Sequence, residues 1–236
     1  WDYLELTPDL EKAAVDADVV VVGTIASRLG SDEGALTAQT VREVCRVAGG
    51  RVVLDVNLRP PWYTPRSVLD FAEYLAAQGS FEMLKVNDDE LELFESWCNL
   101  SSTEGGKKKD IADDEDMGAR AGLLGKTLGA KRVCITRGDK GAVLWSSSSS
   151  GDERVTANPG FAAPEELGNG QVTTDTVGAG DSFLAALIKF LLLENEDDET
   201  ALARSCALGG YVARCQGAVP PHEDAPKELK KIFSYS

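Results

Sequence analysis

The sequence predicts an α/β fold of three layers, with a mostly parallel, Rossmann-like sheet flanked by helices. Three observations support this prediction. Short apolar runs alternate with segments of helical length, the helical segments often end at glycine, and runs such as VVVVG are apolar at every position. Because continuous apolarity suits a strand that is covered on both faces, we expect a parallel sheet between helical layers.

The strands and helices follow from these patterns in chain order. The predicted strands are ADVVVVG (17–23), RVVLDVN (51–57), EMLKVN (82–87), RVCITRG (132–138) and AVLWS (142–146). The predicted helices are DEGALTAQTVREVCRVAGG, PRSVLDFAEYLAAQG, DDELELFESWC and DMGARAGLLGKTLGA. We interpret residues 1–236 as a single domain. Charge in 99–118, and Ser, Gly and Pro in 146–171, predict loop insertions there.

Composition excludes several classes of function. The 39 acidic and 24 basic residues give a net charge of -15, so no nucleic-acid contact is expected. No long apolar run or secretory leader is visible, and we expect a cytoplasmic protein without membrane contact. An organelle stays open, because the sequence begins at Trp1. The five cysteines form no C-x-x-C pair, and the single His222 lies in a Pro-rich turn, so disulfide, zinc and histidine-base chemistry are disfavoured.

Polar residues follow three of the predicted strands. In a parallel sheet these strand ends share one edge, where ligands bind. Taken singly, each is also an ordinary turn or helix-start residue. The residues are Asp55, Asn57 and Arg59 after the second strand, Asn87 and Glu90 after the third, and Thr136, Gly138 and Gly141 after the fourth.

The segment DTVGAGDSF, residues 175–183, places a small-residue turn before an apolar helix. The unhindered N–H groups of Gly178, Ala179 and Gly180 at a helix start form a site for an anion, most often phosphate. Asp181 has two readings, because Asp is a favoured N-cap and is also suited to take a proton from a hydroxyl. Beside an anion site the second reading is favoured, and the predicted chemistry is phosphoryl transfer.

This segment resembles the D-T-x-G-A-G-D signature of the ribokinase-like (PfkB) carbohydrate kinases. Three further stretches are similar to motifs of the same family in the same order. DVNLRPPWY resembles the D-x-N-x-R stretch of its fructokinase-like branch, KVNDDE its N-x-x-E motif, and ITRGDKGA its nucleotide loop. Neither G-x-x-x-x-G-K-[ST] nor G-x-G-x-x-G follows any predicted strand, so these motifs do not indicate a Walker-type or dinucleotide-binding protein.

The resemblance implies a role for each matching position. It makes Asp181 the base, and the turn Gly178, Ala179 and Gly180 the anion hole. The other implied assignments are Arg59 near the phosphates, Asn87 and Glu90 for Mg²⁺ and phosphate in part through water, Thr136, Gly138 and Gly141 for the nucleotide, Asp55 and Asn57 for the substrate, and Asp175 and Val177 for a K⁺ ion bound by some members.

Two departures from the family pattern affect these expectations. Many members have an Ala-Asn pair near adenine where this chain has Ser205 and Cys206, so Cys206 is a nucleotide-pocket candidate with an open preference. Members also carry strands, a sugar-binding stretch and a β lid before the segment that resembles ADVVVVG. We expect this sequence to be part of a longer protein that contains them. A homodimer is one expectation, because the lid is the usual dimer surface.

The leading interpretation is therefore an ATP-dependent, Mg²⁺-requiring kinase that phosphorylates a sugar hydroxyl. A pseudokinase that serves as a subunit or scaffold is the alternative from another class, favoured by the absent front segment and Cys206. A nucleoside or sugar-phosphate kinase is a third reading within the family. Expected partners are the small-molecule sugar and nucleotide.

Overall fold

The structure is a computed structural model that describes residues 3–27, 36–61, 63–100, 113–160, 176–220 and 229–230. The chain divides into two compact units. The first unit consists of Trp1–Ile135 and Leu144–Val155, and the second of Thr136–Val143 and Thr156–Ser236. The prediction of one domain stays a prediction, and each unit is described by itself below.

Six strands form one sheet in the order β1-β2-β3-β4-β5-β6. Strand β2 pairs in parallel with both β1 and β3. The short connections from β4 to β5 and from β5 to β6 make these neighbours antiparallel hairpins, so the sheet is mixed. The strands are β1 (Val19–Gly23), β2 (Arg51–Asp55), β3 (Phe81–Asn87), β4 (Arg132–Thr136), β5 (Ala142–Ser147) and β6 (Glu153–Asn158).

Eight α-helices are found in the described ranges, and local capping explains where several of them begin. Thr64 and Asn87 each form a capping box, and Asp113 and Asp197 each accept a backbone N–H of the following turn. The helices are α1 (Pro8–Asp16), α2 (Thr24–Ser27), α3 (Leu36–Val47), α4 (Pro65–Ala77), α5 (Asp88–Trp97), α6 (Asp114–Leu128), α7 (Ala179–Leu187) and α8 (Asp198–Val212). A π-helical turn, Ile188–Leu193, continues α7.

The sheet and helices confirm the predicted α/β class. Every predicted strand is present, and β2 and β3 are buried along most of their length, as continuous apolarity predicts. Strand β1 differs, because it lies at one edge of the described sheet and Val21 is 50% exposed. None of the helices in the described ranges is long and apolar enough to cross a lipid bilayer.

The loop insertions are corrected in part. Strand β6 lies inside 146–171, where exposed residues such as Glu153 and Val155 mask the apolar alternation of a strand. An exposed, charged strand at a sheet edge is a common protection against unwanted pairing. Helix α6 likewise begins inside 99–118, at Asp114. The remaining parts, 101–112 and 161–175, lie outside the described residues.

Glycines in α6 make room for a large side chain of the first unit. A Cβ added at Gly122 or Gly125 would lie 2.8 or 2.4 Å from the Trp145 ring. Trp145 is 3% exposed, and its indole N–H donates to Glu153 at 3.2 Å. The other carboxylate oxygen of Glu153 forms an ion pair with the Lys126 ammonium, with 2.7 Å between Nζ and Oε1. These contacts fix α6 against the β5–β6 hairpin.

Candidate active site

The GAG turn begins helix α7 through a glycine in a left-handed conformation. Gly178 is the N-cap with φ 80°, and no side chain caps this helix. A Cβ at Gly178 would lie 2.6 Å from the Ala218 Cβ and 2.8 Å from the Ala218 carbonyl oxygen. Both the backbone angle and the close approach of another chain segment therefore require glycine here.

Asp181 is the third residue of α7 rather than its cap. Its side chain is exposed, and none of the described residues donates a hydrogen bond to its carboxylate. The helix start is closed instead by backbone, with the Ser182 N–H donating to the Gly178 carbonyl at 2.8 Å. Of the two readings of Asp181, the geometry therefore removes N-capping and leaves a carboxylate in the positive first turn of a helix.

A cavity of about 360 Å³ opens beside this turn within the second unit. That volume lies within the range of small-molecule sites. Most of its wall is backbone and small side chains, with Phe183 supplying an aromatic surface. The lining residues are Thr136, Gly138, Asp139, Gly141, Gly160, Thr176, Ala179, Gly180, Phe183, Cys206, Gly209, Gly210, Ala213 and Arg214.

Backbone contacts between glycines shape the cavity wall. Gly141 has φ 81°, and a Cβ there would lie 1.9 Å from the Asn158 carbonyl oxygen and 2.3 Å from the Gly160 nitrogen. The Asn158 side chain accepts the Gly160 N–H at 2.9 Å. Gly209 of α8 likewise packs closely against α7. A Cβ added at Gly209 would lie 3.1 Å from both the Ala179 carbonyl oxygen and the Phe183 Cβ. Glycine at these points allows neighbouring segments to approach closely, and this close packing shapes the cavity wall.

The thiol of Cys206 is part of this wall and is 7% exposed. Burial raises the pKa of Cys206 to about 12, an effect that nearby Arg137 only partly offsets. The side chain is therefore a neutral thiol at physiological pH. It presents a small, weakly hydrogen-bonding surface to whatever occupies the cavity.

In the first unit, a buried ion pair joins the ends of β2 and β3. The Lys85 ammonium donates to Asp55 Oδ1 at 3.0 Å, and each residue is 7% exposed. A buried charge is tolerated when an opposite charge and hydrogen bonds compensate it. We refer to Asp55, Lys85, Asn87 and Glu90 as the strand-end cluster.

Glu90 and Asn87 are engaged with the backbone on both sides. Asn87 Oδ1 accepts the Glu90 N–H at 2.8 Å, and Glu90 Oε2 accepts the Asn87 N–H at 2.9 Å. Glu90 Oε1 accepts the Leu58 N–H at 2.7 Å. Glu90 is 5% exposed. One carboxylate therefore holds the start of α5 and the segment that follows β2.

That segment, residues 56–59, contains the other two predicted residues of this strand end. Asn57 has φ 41°, a left-handed conformation that Asn tolerates better than most residues. Arg59 is exposed, and its Nη1 donates to the Leu58 carbonyl at 2.8 Å. Buried Thr24 donates from Oγ1 to the Val56 carbonyl at 2.8 Å. The segment is held from several directions.

Comparison with known proteins assigns the chain to a family. A family model described as pfkB family carbohydrate kinase matches residues 2–225. The chain belongs to the PfkB family of carbohydrate kinases. The resemblance inferred from the four motifs is confirmed.

The curated relatives of this PfkB chain include two plant fructokinases. Fructokinase-2 of Solanum habrochaites is 29% identical over 197 residues, which is 79% of this chain and 49% of the relative. Fructokinase-2 of Solanum lycopersicum is 29% identical over 193 residues, again 79% of this chain and 49% of the relative. The PfkB chain thus spans about half the length of these fructokinases.

Solved structures of similar fold confirm the ribokinase-like architecture. Arabidopsis thaliana ribokinase, complexed with ribose and ATP, is 21% identical with a TM-score of 0.59, covering 98% of this chain and 61% of the ribokinase. Xylella fastidiosa fructokinase with bound ATP is 16% identical with a TM-score of 0.61, covering 88% of this chain and 59% of the fructokinase. At these identities the likeness concerns the fold.

The structure brings together part of the predicted site of the PfkB chain. Thr136, Gly138 and Gly141 line the same cavity as Ala179, Gly180 and Cys206. Of the two residues predicted for K⁺, Val177 is 63% exposed and Asp175 lies outside the described residues. His222 also lies outside them. In the described ranges, no three His, Cys, Asp or Glu side chains are grouped as a metal site.

Sequence reasoning missed several residues of these regions. Lys85 carries a detectable signal, because it is a basic residue between apolar neighbours in a mostly apolar strand. Gly209 and Gly210 form a pair within a helix, where glycine is unfavourable without a packing reason. Thr24 and Gly160 left no such signal, since each acts on backbone distant in sequence.

Proposed function

We propose that this chain supplies the nucleotide-binding side and the catalytic base of an ATP-dependent sugar kinase of the fructokinase type. One observation carries the proposal. Six predicted residues from three separate stretches of sequence, Thr136, Gly138, Gly141, Ala179, Gly180 and Cys206, line one cavity beside the start of α7. The names of the fructokinase relatives and the ATP in related structures support the same assignment.

In this proposal the second unit binds the nucleotide and activates the sugar hydroxyl that attacks it. The cavity receives the base of the nucleotide, and the N–H groups of Gly178 and Gly180 bind the transferring phosphate at the positive end of α7. The Ala179 N–H lies between them and donates to the Thr176 carbonyl at 3.2 Å. Asp181 takes the proton of the attacking sugar hydroxyl. Its carboxylate is available for this role because it is exposed and does not cap the helix. Asp55, Asn57 and Arg59 serve the substrate and phosphate side.

Magnesium fits this donor set only as a partly hydrated ion. Mg²⁺ commonly keeps several waters and binds substrate phosphates with one or two protein carboxylates. Glu90 and Asn87 already bond to backbone N–H groups, so in this proposal they reach the ion through water. Bound Mg²⁺ would supply neutralisation of phosphate charge. A K⁺ ion near Val177 belongs to the same proposal.

The test separates binding from chemistry in the full-length protein. Asp181→Asn should lower turnover of sugar and ATP by about 10²- to 10⁴-fold while leaving the affinity for a non-hydrolysable ATP analogue with Mg²⁺ nearly unchanged. Glu199→Gln is the matched control, because Glu199 is also an exposed acid in the first turn of a helix.

Two outcomes would contradict the proposal. Near wild-type turnover of Asp181→Asn would remove Asp181 as the base. A wild-type protein that binds no nucleotide in the presence of Mg²⁺ would favour the pseudokinase reading, in which the fold serves as a scaffold. Turnover with a nucleoside or sugar phosphate in preference to a free hexose would move the substrate assignment within the family.

A further inference from the structure

We infer that Glu90 and Thr24 act in catalysis by position, because together they fix residues 56–59, which we call the β2 loop, and so place Arg59. The inference rests on the proposed function, in which Arg59 serves the phosphates. It gives Glu90 a second role, on the Leu58 backbone, beside the water-mediated contact with Mg²⁺ in the proposed function. It also gives Thr24 a role that none of the four sequence motifs contains.

The β2 loop is tied along its length. The Val56 N–H donates to the Lys85 carbonyl at 3.0 Å, extending the β2–β3 ladder by one bond. The Val56 carbonyl accepts the Thr24 hydroxyl at 2.8 Å, and the Asn57 carbonyl lies 3.4 Å from the same oxygen. Because Thr24 is only 2% exposed, water does not easily replace its hydroxyl.

Glu90 holds the loop from the other side. Its Oε1 accepts the Leu58 N–H at 2.7 Å, a charge-assisted bond between groups that are both nearly buried. The carbonyl of the same Leu58 accepts from the Arg59 guanidinium at 2.8 Å. The Leu58 peptide is thus the link between Glu90 and Arg59, and a shift of this peptide moves the start of the arginine side chain.

The loop needs such ties because its backbone is strained at one point. Asn57 has φ 41°, and a residue other than glycine keeps this unfavourable conformation only where its surroundings fix it. Thr24 binds on the N-terminal side of Asn57 and Glu90 on its C-terminal side. Loss of either tie lets the loop relax toward an ordinary conformation and misplaces Arg59. A displacement of about 1 Å at a reacting group can cost about 100-fold in rate.

The experiment compares Glu90→Gln and Thr24→Val with the wild type in the full-length protein, by amide hydrogen exchange and steady-state kinetics. Gln keeps one oxygen that is able to accept the Leu58 N–H, so Glu90→Met, which keeps none, is measured beside it. We expect the Leu58 amide to be protected in the wild type and to exchange at least about tenfold faster in Glu90→Met and in Thr24→Val. We expect kcat/KM to fall about 10- to 100-fold in Glu90→Gln and about tenfold in Thr24→Val. Thr24→Ser, which restores the hydroxyl, should recover most of the loss.

A double-mutant cycle shows whether the effect passes through Arg59. If it does, Glu90→Met and Thr24→Val should cost little more in a protein that already carries Arg59→Ala. Glu92→Gln is the control on the same helix, because Glu92 is exposed. It should leave both Leu58 exchange and kcat/KM at wild-type values.

Action of Glu90 at the metal alone would look different. Glu90→Met would then raise the Mg²⁺ concentration needed for half-maximal activity, with Leu58 exchange unchanged and full additivity with Arg59→Ala; that result overturns the inference. The exchange measurement needs no turnover. A wild type without kinase activity would contradict the proposed function, whereas faster Leu58 exchange in Glu90→Met and in Thr24→Val would still support the fixing of the β2 loop.

Discussion

The strand-end cluster of the first unit and the cavity of the second unit use opposite means to order a site. The cluster buries charge, with Asp55 bound to Lys85 and Glu90 bound to two backbone N–H groups. The cavity wall depends instead on Gly141, Gly160 and Gly209, which lie closely against neighbouring residues. The cluster already has partners for its polar groups, while the cavity leaves backbone and a thiol facing open space. Paired charges therefore order the cluster, whereas close backbone packing at glycines orders the cavity wall.

The largest effect that distinguishes the two regions is expected at Lys85. Asp55 is only 7% exposed, and Lys85→Met removes the cation that pairs with its carboxylate. Breaking a buried ion pair in this way costs about 3–5 kcal/mol of unfolding free energy. The double variant Lys85→Met with Asp55→Asn removes both charges and should recover most of that loss. Urea unfolding of both proteins measures the difference. A loss below about 1 kcal/mol for Lys85→Met would mean that Asp55 is compensated by other groups.

Glycine substitutions test the cavity wall by the same measurement, the free energy of unfolding. Gly141→Ala combines a positive φ with a Cβ 1.9 Å from a carbonyl oxygen, and we expect a loss of about 2–4 kcal/mol together with weaker nucleotide binding. Gly138→Ala is the matched control in the same turn, because Gly138 also has a positive φ, 59°, but nothing lies within 4 Å of the added Cβ.

The Gly138 control should lose only about 1 kcal/mol, the backbone cost alone. The two losses are compared by urea unfolding, and nucleotide affinity is measured on the same preparations. Equal losses at both positions would show that the contact of Gly141 with Asn158 and Gly160 does not order the cavity wall.

The sequence predicts these two regions unequally, for physical reasons. The GAG turn and the Asn87–Glu90 capping box are local patterns, and their conformations follow from residues within one helical turn. The Lys85–Asp55 pair joins residues 30 positions apart, and a lysine in a strand is normally read as solvent-exposed. Strand β6 was concealed by exposed Glu153 and Val155. The roles of Gly160 and Gly209 depend on long-range backbone contacts that composition does not reveal.

The smallest expected effect compares one buried thiol in each unit. Burial raises the pKa of Cys45 in α3 and of Cys206 in the cavity wall to about 12, from an ordinary value of 9.0. In the unfolded chain each thiol ionises above pH 9, whereas in the folded protein it keeps its proton until about pH 12. Between pH 9 and pH 12 the folded state therefore binds more protons than the unfolded chain. The contribution of each buried thiol to the free energy of unfolding is complete below pH 9 and falls as the pH rises toward 12.

At pH 10 this linkage amounts to about 1.4 kcal/mol for each thiol. Urea unfolding at pH 8 and pH 10 should therefore show a smaller alkaline loss in Cys45→Ala and in Cys206→Ala than in the wild type. Cys215→Ala is the control, because Cys215 is only partly buried.

A nucleotide that fills the cavity should remove water from Cys206 and leave Cys45 unaffected. Added ATP analogue should therefore slow alkylation of Cys206 at pH 10 more than alkylation of Cys45. Equal protection of both thiols would indicate that ATP acts by general stabilisation and that Cys206 does not face the nucleotide.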